Sequence, residues 1–155
     1  MEEKTNVMRI LEQKKIAYQP HSYVTTDAVS GTEVAAVLGQ DPKRVFKTLV
    51  TVAKSGNHYV FVIPVEKELD LKKVAKAAGD KKVEMIHMKD LLPLTGYIRG
   101  GCSPVGMKKR FPTYIEETAI LYDRITVSAG QRGVQISVEP DKLAGYLEAE
   151  FAPLI

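Results

Sequence analysis

The stretch from Arg44 to Val65 limits the fold more than any other part of the chain. Arg44 to Val52 is rich in β-branched residues, Lys54-Ser55-Gly56-Asn57 has turn composition, and His58 to Val65 is apolar at nearly every position. A strand apolar at successive positions is apolar on both faces, and such a strand sits inside a sheet covered on both sides. A central hairpin is therefore expected. Period two places Val45, Lys47, Leu49 and Thr51 on one face and Phe46, Thr48, Val50 and Val52 on the other. Lys47 thus falls among residues expected to point inward. A lysine withdrawn from water needs an anion or gives up its proton, which makes Lys47 a candidate for holding a phosphate, a carboxylate or a developing oxyanion. A lysine snorkelling from an edge strand is the plainer reading, slightly favoured by the strand pattern alone.

The remaining elements follow in order. A helix is expected from Thr5 to Lys15, with Val7, Met8, Ile10 and Leu11 as its apolar stripe, then an extended segment from Ile16 to Tyr23 that Pro20 restricts to an edge or a strand start. Thr32 opens a second helix closed by Gly39, and Asp41-Pro42 reads as the start of another. A helix from Leu69 to Ala78 begins at Asp70 and stops at Gly79; Lys82 to Ile86 is a short strand; Met88 to Leu94 makes one or two helical turns. Thr113 to Leu121 and Arg124 to Ser128 read as strands, residues 129–133 as a turn, and Val134 to Val138 as the last strand. Asp141 then caps a final helix that buries Leu143, Tyr146 and Leu147. Strands and helices mix without a strict βαβ repeat, so the expected fold is a single α+β domain over residues 1–155, with a mixed, largely antiparallel sheet covered by helices.

Composition narrows the function classes. The chain has 155 residues, 45% of them hydrophobic, enough for one core, and no Pro/Gly/Ser-rich linker divides it. The polar first residues lack the apolar run of a signal peptide, and no segment reaches the roughly eighteen apolar residues of a membrane span. A cytoplasmic protein with no membrane association, monomeric by default, is expected. One cysteine and three scattered histidines leave no disulfide and no metal-ligand spacing, and no cofactor motif is present. The net charge of +3 is far from that of a dedicated nucleic-acid binder. The Lys72 to Lys82 group reads as a solvated face, whereas Lys108-Lys109-Arg110 adjoins a more unusual segment.

That segment is Gly96 to Gly106, which holds four of the eleven glycines together with Ser103-Pro104 and Cys102. Adjacent glycines allow unusual backbone angles and close approach of another molecule to main-chain N–H groups. Composition alone leaves it level between a long turn and a ligand loop. Cys102 has no neighbouring histidine or helix start to activate it, so a small loop residue is the favoured role over a nucleophile. His21, His58 and His87 are isolated. Neither a protein nucleophile nor a general base is evident.

Taken together, Phe46-Lys47-Thr48-Leu49, Lys82-Val83-Glu84-Met85, Thr95-Gly96-Tyr97, Gly100-Gly101-Cys102-Ser103-Pro104-Val105-Gly106 and Val127-Ser128-Ala129-Gly130-Gln131-Arg132-Gly133 strongly resemble the YbaK/EbsC family. Within it the resemblance is nearest to the YbaK-type Cys-tRNA(Pro) deacylases, and it runs from the first helix to Ala149-Glu150-Phe151. The family is related to the editing domain inserted in bacterial prolyl-tRNA synthetases. The resemblance implies catalytic roles for Lys47, Gly100 and Gly101, and substrate contacts by Tyr23, Phe46, Thr48, Ser103, Pro104, Ser128, Gly130 and Arg132. Cys102 stands where the family resembles a variable apolar site, which further weakens any catalytic use of it.

The resemblance also implies trans-editing of mischarged Cys-tRNA(Pro), and of Cys-tRNA(Cys), without a cofactor. The substrate's own thiol attacks its ester carbonyl to give a thiolactone, while the protein positions the aminoacyl group and the glycine loop stabilises the oxyanion. Lys47 is left open between phosphate, adenosine and carbonyl oxygen. Prolyl-tRNA synthetase is the implied partner in a ternary complex with tRNA. A deacylase acting on another small aminoacyl-tRNA, such as Ala-tRNA(Pro), with an activated water, and a non-catalytic module that binds tRNA or a synthetase, are the alternatives.

Overall fold

The computed structural model describes residues 4–22 and 31–155. Helix α1 (Asn6–Gln13) starts where Thr5 Oγ1 accepts a hydrogen bond from Met8 N–H, and it buries Val7, Met8 and Leu11. It stops short of the expected Lys15, which adopts φ 59° and so cannot continue a right-handed helix. Strand β1 (Tyr18–Ser22) follows, and Pro20 does lie on an edge. Helix α2 (Gly31–Leu38) ends at Gly39, φ +67°.

No helix begins at Asp41-Pro42. Asp41 closes a single turn, its carboxylate accepting from Lys43 N–H and its carbonyl from Arg44 N–H, before the chain runs into β2 (Phe46–Val52). Strand β3 (His58–Pro64) pairs antiparallel with β2 in the register Lys47↔Ile63, Thr48↔Val62 and Leu49↔Phe61, as the hairpin pattern requires. Helix α3 (Leu71–Ala78) begins at Asp70, whose carboxylate accepts from Lys72 and Lys73 N–H, and ends at Gly79, φ +68°. Strand β4 is only Glu84–Met85, shorter than expected at both ends, and Lys82 at φ 45° lies outside strand geometry. Helix α4 covers Met88–Thr95.

Strand β5 is Thr113–Glu116, not Thr113 to Leu121. Glu116, 2% exposed, accepts Thr118 N–H on one carboxylate oxygen and Leu154 N–H on the other, which turns residues 117–121 into a 3-10 helix. Strands β6 (Ile125–Ser128) and β7 (Val134–Val138) match the expectation closely. Helix α5 (Pro140–Leu147) is preceded by Glu139 with Pro140 at its first turn, so Asp141 lies inside the helix and not at its cap. A final strand, β8 (Glu150–Ala152), was not foreseen; it adds parallel to β5.

The strands form two sheets, β1-β7-β6 and β4-β2-β3-β5-β8. Pairing is antiparallel except at β3·β5 and β5·β8, and the sheets touch through a parallel bridge between Val45 and Thr126. The main core packs Val7 and Leu11 of α1 against Phe46, Val50, Val60, Val62, Ile115, Val127 and Ile136. A second core places Tyr59, Phe61 and Ile63 against Val74 of α3 and Leu154. Alternate residues of β3 thus enter different cores, which is why it is apolar on both faces. The fold is a single-domain α+β architecture with mixed sheets and helices.

Candidate active site

Strand β2 is covered unevenly. On the side away from β3 it meets β6 only at the Val45 bridge and β4 only at Thr51 and Val52. Between those two junctions a cavity of about 470 Å3 opens, lined by Phe46, Lys47, Thr48, Leu49 and Val50 of β2. Val34 of α2, Met85, Ile86, Met88 and Leu91 around β4 and α4, and Arg99, Gly100 and Cys102 of the glycine segment complete it, with Ser128 and Gln135 from the other sheet.

The glycine segment is held by its own hydrogen bonds. Thr95 Oγ1 accepts from Tyr97 N–H, the Tyr97 hydroxyl donates to Val105 O, and Ser103 Oγ accepts from Val105 N–H. Gly101 N–H donates to Ile98 O at 3.0 Å. Gly101 must be glycine because a Cβ there would lie 2.9 Å from Arg132 N and 3.0 Å from Gln131 C, both main chain. Gly100 has φ +87°, and the Arg132 side chain packs over it. The segment is thus pressed onto the turn after β6, and Ser128 Oγ donates to Gly100 O across a long 3.5 Å.

Of the residues singled out in the sequence, the structure brings Phe46, Lys47, Thr48, Gly100 and Ser128 to this one cavity. Gly101, Gly130 and Arg132 support its wall without lining it; Gly130, φ +94°, leaves room for Val7 and Tyr97. Ser103 is fully buried in its own turn. Pro104 faces a separate hollow of about 90 Å3 beside Lys109, Arg110 and Tyr146. Tyr23 lies outside the described residues. Sequence reasoning passed over Arg99, Gln135, Met85 and Met88. Gln135 did carry a signal, since Val134-Gln135-Ile136-Ser137-Val138 alternates apolar and polar, and a buried glutamine on the polar side needs a partner. Gln40 Nε2 donates to its carbonyl at 3.1 Å.

Lys47 extends from β2 to within 3.9 Å of the Glu68 carboxylate, which is 93% exposed. An ion pair of that length with a solvated carboxylate is weak and leaves the ammonium available to another anion. Cys102 is buried in the cavity wall, and burial pushes its thiol up to about 12. It is protonated at neutral pH and unsuited to attack. The Thr48 hydroxyl is buried without a hydrogen-bond partner among the described residues. Among the described residues no Asp, Glu or His lines the cavity, no cluster of His, Cys, Asp or Glu could hold a metal, and no helix is long and apolar enough to cross a membrane.

The chain belongs to the aminoacyl-tRNA editing domain family, whose model matches residues 25–146. It is 51% identical over 154 residues, 99% of this chain and 94% of the relative, to EbsC of Enterococcus faecalis, provisionally named a Cys-tRNA(Pro)/Cys-tRNA(Cys) deacylase. It is 31% identical over 85 residues to the proline–tRNA ligase of Pelobacter propionicus, a match spanning 55% of this chain and 15% of the ligase. A crystal structure described provisionally as a trans-editing enzyme for prolyl-tRNA synthetase superposes with a TM-score of 0.82 at 23% identity, covering 99% of this chain and 98% of the other. The crystal structure of a hypothetical protein gives 0.87 at 22% identity, covering 96% and 97%. These two show the shared fold.

Proposed function

We propose that the protein deacylates mischarged Cys-tRNA(Pro) in trans, and Cys-tRNA(Cys) as well, by letting the substrate's thiol attack its own ester. The observation that carries this reading is the contrast inside the cavity between Lys47, a cation whose one ion pair among the described residues is weak, and Cys102, a thiol held protonated. The site supplies charge and shape, which suits a reaction whose nucleophile arrives with the substrate. A mechanism that needs the thiol also separates cysteine from alanine better than pocket size does, since one small group is worth only about 1–3 kcal/mol.

In this reading the aminoacyl group enters between β2 and the glycine wall, with Phe46 and Gly100 shaping the space and Lys47 beside the carbonyl oxygen or the terminal phosphate. Gly101 N–H is spent on Ile98 O, so Gly101 supports the glycine wall and Gly100 is the loop glycine that lines the cavity. Ser103, Gly130 and Arg132 act by holding that wall and not by touching substrate, and Pro104 faces the separate hollow. Selectivity for the tRNA is assigned to prolyl-tRNA synthetase as a partner, supported by the similarity to a stretch of a proline–tRNA ligase and by a net charge of only +3.

The test is a deacylation panel on tRNA(Pro) charged with cysteine, alanine or serine, with and without the synthetase. Cysteine is expected to be released fastest, and Lys47→Ala to reduce that rate by about a hundredfold or more. Rapid release of alanine would overturn the thiol mechanism. Binding of charged tRNA with no rise in free amino acid above the spontaneous rate would overturn catalysis itself.

A further inference from the structure

The direction of the main-chain groups along β2 carries a second result. Thr126 N–H donates to Arg44 O at 2.9 Å and Ile86 N–H donates to Val50 O at 3.3 Å, both from the side away from β3. Val65 N–H donates to Val45 O at 2.8 Å from the β3 side. Main-chain groups alternate sides along a strand, so Phe46 and Thr48 turn their N–H and C=O away from β3. The opposite strand agrees: Val60, across from Val50, sends its N–H to Pro112 O and not to β2.

Thr48 falls midway between the Val45–Thr126 bridge and the start of β4 at Thr51. No described strand pairs with it on that side, and it lines the cavity. Its hydroxyl is buried and has no partner among the described residues. One cavity-lining residue therefore carries a main-chain donor and a main-chain acceptor on the side of the strand that no described strand covers. Buried polar groups of this kind are ordinarily satisfied, so an unpaired strand edge inside a ligand cavity is a template for pairing.

We propose that the aminoacyl group docks as a one-residue strand against Thr48, its α-amino group donating to Thr48 C=O and its ester carbonyl accepting from Thr48 N–H. This rests on the reading of the cavity as an aminoacyl-ester site. An aminoacyl ester has the same N–Cα–C=O order as a residue in a strand, so it matches the two-bond pair that opposed residues make in an antiparallel ladder. Residues opposed in that way carry their side chains on the same face, which sets the substrate's side chain on the Thr48 side-chain face of the strand. Thr48 is thus a positioning residue that works through its main chain, and the free α-amino group becomes part of what the site recognises. An acyl-tRNA without that group loses one of the two bonds and leaves Thr48 C=O unpaired.

The test compares Cys-tRNA(Pro) with 3-mercaptopropionyl-tRNA(Pro), which keeps thiol and ester but lacks the α-amino group. Each rate is divided by its own spontaneous rate. The acceleration is expected to be at least about tenfold smaller for the deamino ester. A second arm uses Thr48→Pro, which removes an N–H pointing away from β3 and so leaves the β2·β3 ladder intact. It is expected to fall at least about tenfold below Thr48→Ala in kcat, with KM changed less, because Thr48→Ala removes the hydroxyl but keeps the N–H. Equal acceleration of the two esters overturns the proposal, as does a folded Thr48→Pro protein as active as Thr48→Ala. Should Thr48→Pro fail to fold, the substrate comparison decides alone. Absence of any acceleration on Cys-tRNA(Pro) counts instead against the deacylase reading.

Discussion

Replacing Gly101 with alanine adds one methyl group at a place where the main chain of another segment already stands. The new Cβ would meet Arg132 N at 2.9 Å and Gln131 C at 3.0 Å, whereas ordinary van der Waals contact begins at 3.4 Å. Neither atom belongs to a side chain that can swing aside. The glycine segment and the turn after β6 must therefore separate by about half an ångström, and the segment resists because Gly101 N–H, Ser103 Oγ and the Tyr97 hydroxyl anchor it. Forcing a methyl into packed structure costs about 1–3 kcal/mol. For a chain of this length that corresponds to a fall in Tm of roughly 2–4 °C per kcal/mol. Gly100 and Ser128 lie on the two parts being separated and both line the cavity, so the wall moves with them. Misplacement of this order is expected to reduce kcat/KM by about ten- to a hundredfold. Thermal melting by circular dichroism and deacylation of Cys-tRNA(Pro), measured on one preparation, check both numbers. A variant with unchanged Tm and kcat/KM within twofold of the parent would refute the argument that this contact sets the wall.

The same substitution at Gly145 is expected to have the opposite sign. No atom lies within 4 Å of a Cβ built there, within α5, and its φ needs no glycine, so Gly145→Ala should stabilise by about 0.5–1 kcal/mol and raise Tm accordingly. Cys102→Ala is expected to keep activity within roughly threefold, and Cys102 in the folded protein should alkylate at least about a hundredfold more slowly at pH 8 than free cysteine, because burial holds its thiol near 12; a dead variant or fast labelling would sink the assignment of the thiol as inert. Asp80 accepts hydrogen bonds from Ser55, Tyr59, Asn57 and Lys81 N–H, which lower its pKa to about 2 from an ordinary value of about 4. A depressed carboxylate stabilises the fold above its unfolded pKa and loses that contribution as pH falls through its folded one. Stability should therefore decline from about pH 4 toward pH 2, and Asp80→Asn should flatten that part of a Tm-versus-pH curve.

The hairpin and the ends of α3 were legible in the residues because their causes are local. Apolar residues on both faces of β3, the Asp70 cap and the stop at Gly79 each depend on a handful of neighbours in the chain. Failures came where a distant residue decided the matter. Glu116 caps the turn at residues 117–121 through Thr118 N–H while Leu154 N–H holds its second oxygen, and β8 pairs along the edge of β5. The Asp41-Pro42 start was a different kind of error: a sound helix-start signal was satisfied by one turn and then overridden by the pull of β2 into its sheet.

The site divides along the same line. Lys47 stood out as a charge in an apolar strand, and the glycines of the loop stood out by composition; the resemblance grouped them with Phe46, Thr48 and Ser128. No reading of side-chain types exposes the feature that gives Thr48 its main-chain role, because an open strand edge is a property of what fails to pair beside it. The gap arises from β6 meeting β2 only at Val45 and β4 only from Thr51 onward. Lengthening β4 backward along β2 would close it: if Ile86 and the residues after it paired through Thr48, the cavity would lose its polar edge while every side chain that lines it stayed the same. Activity in this fold should thus depend on the early end of the β4 ladder, where the chain leaves the sheet after Met85 and turns into α4 at Met88.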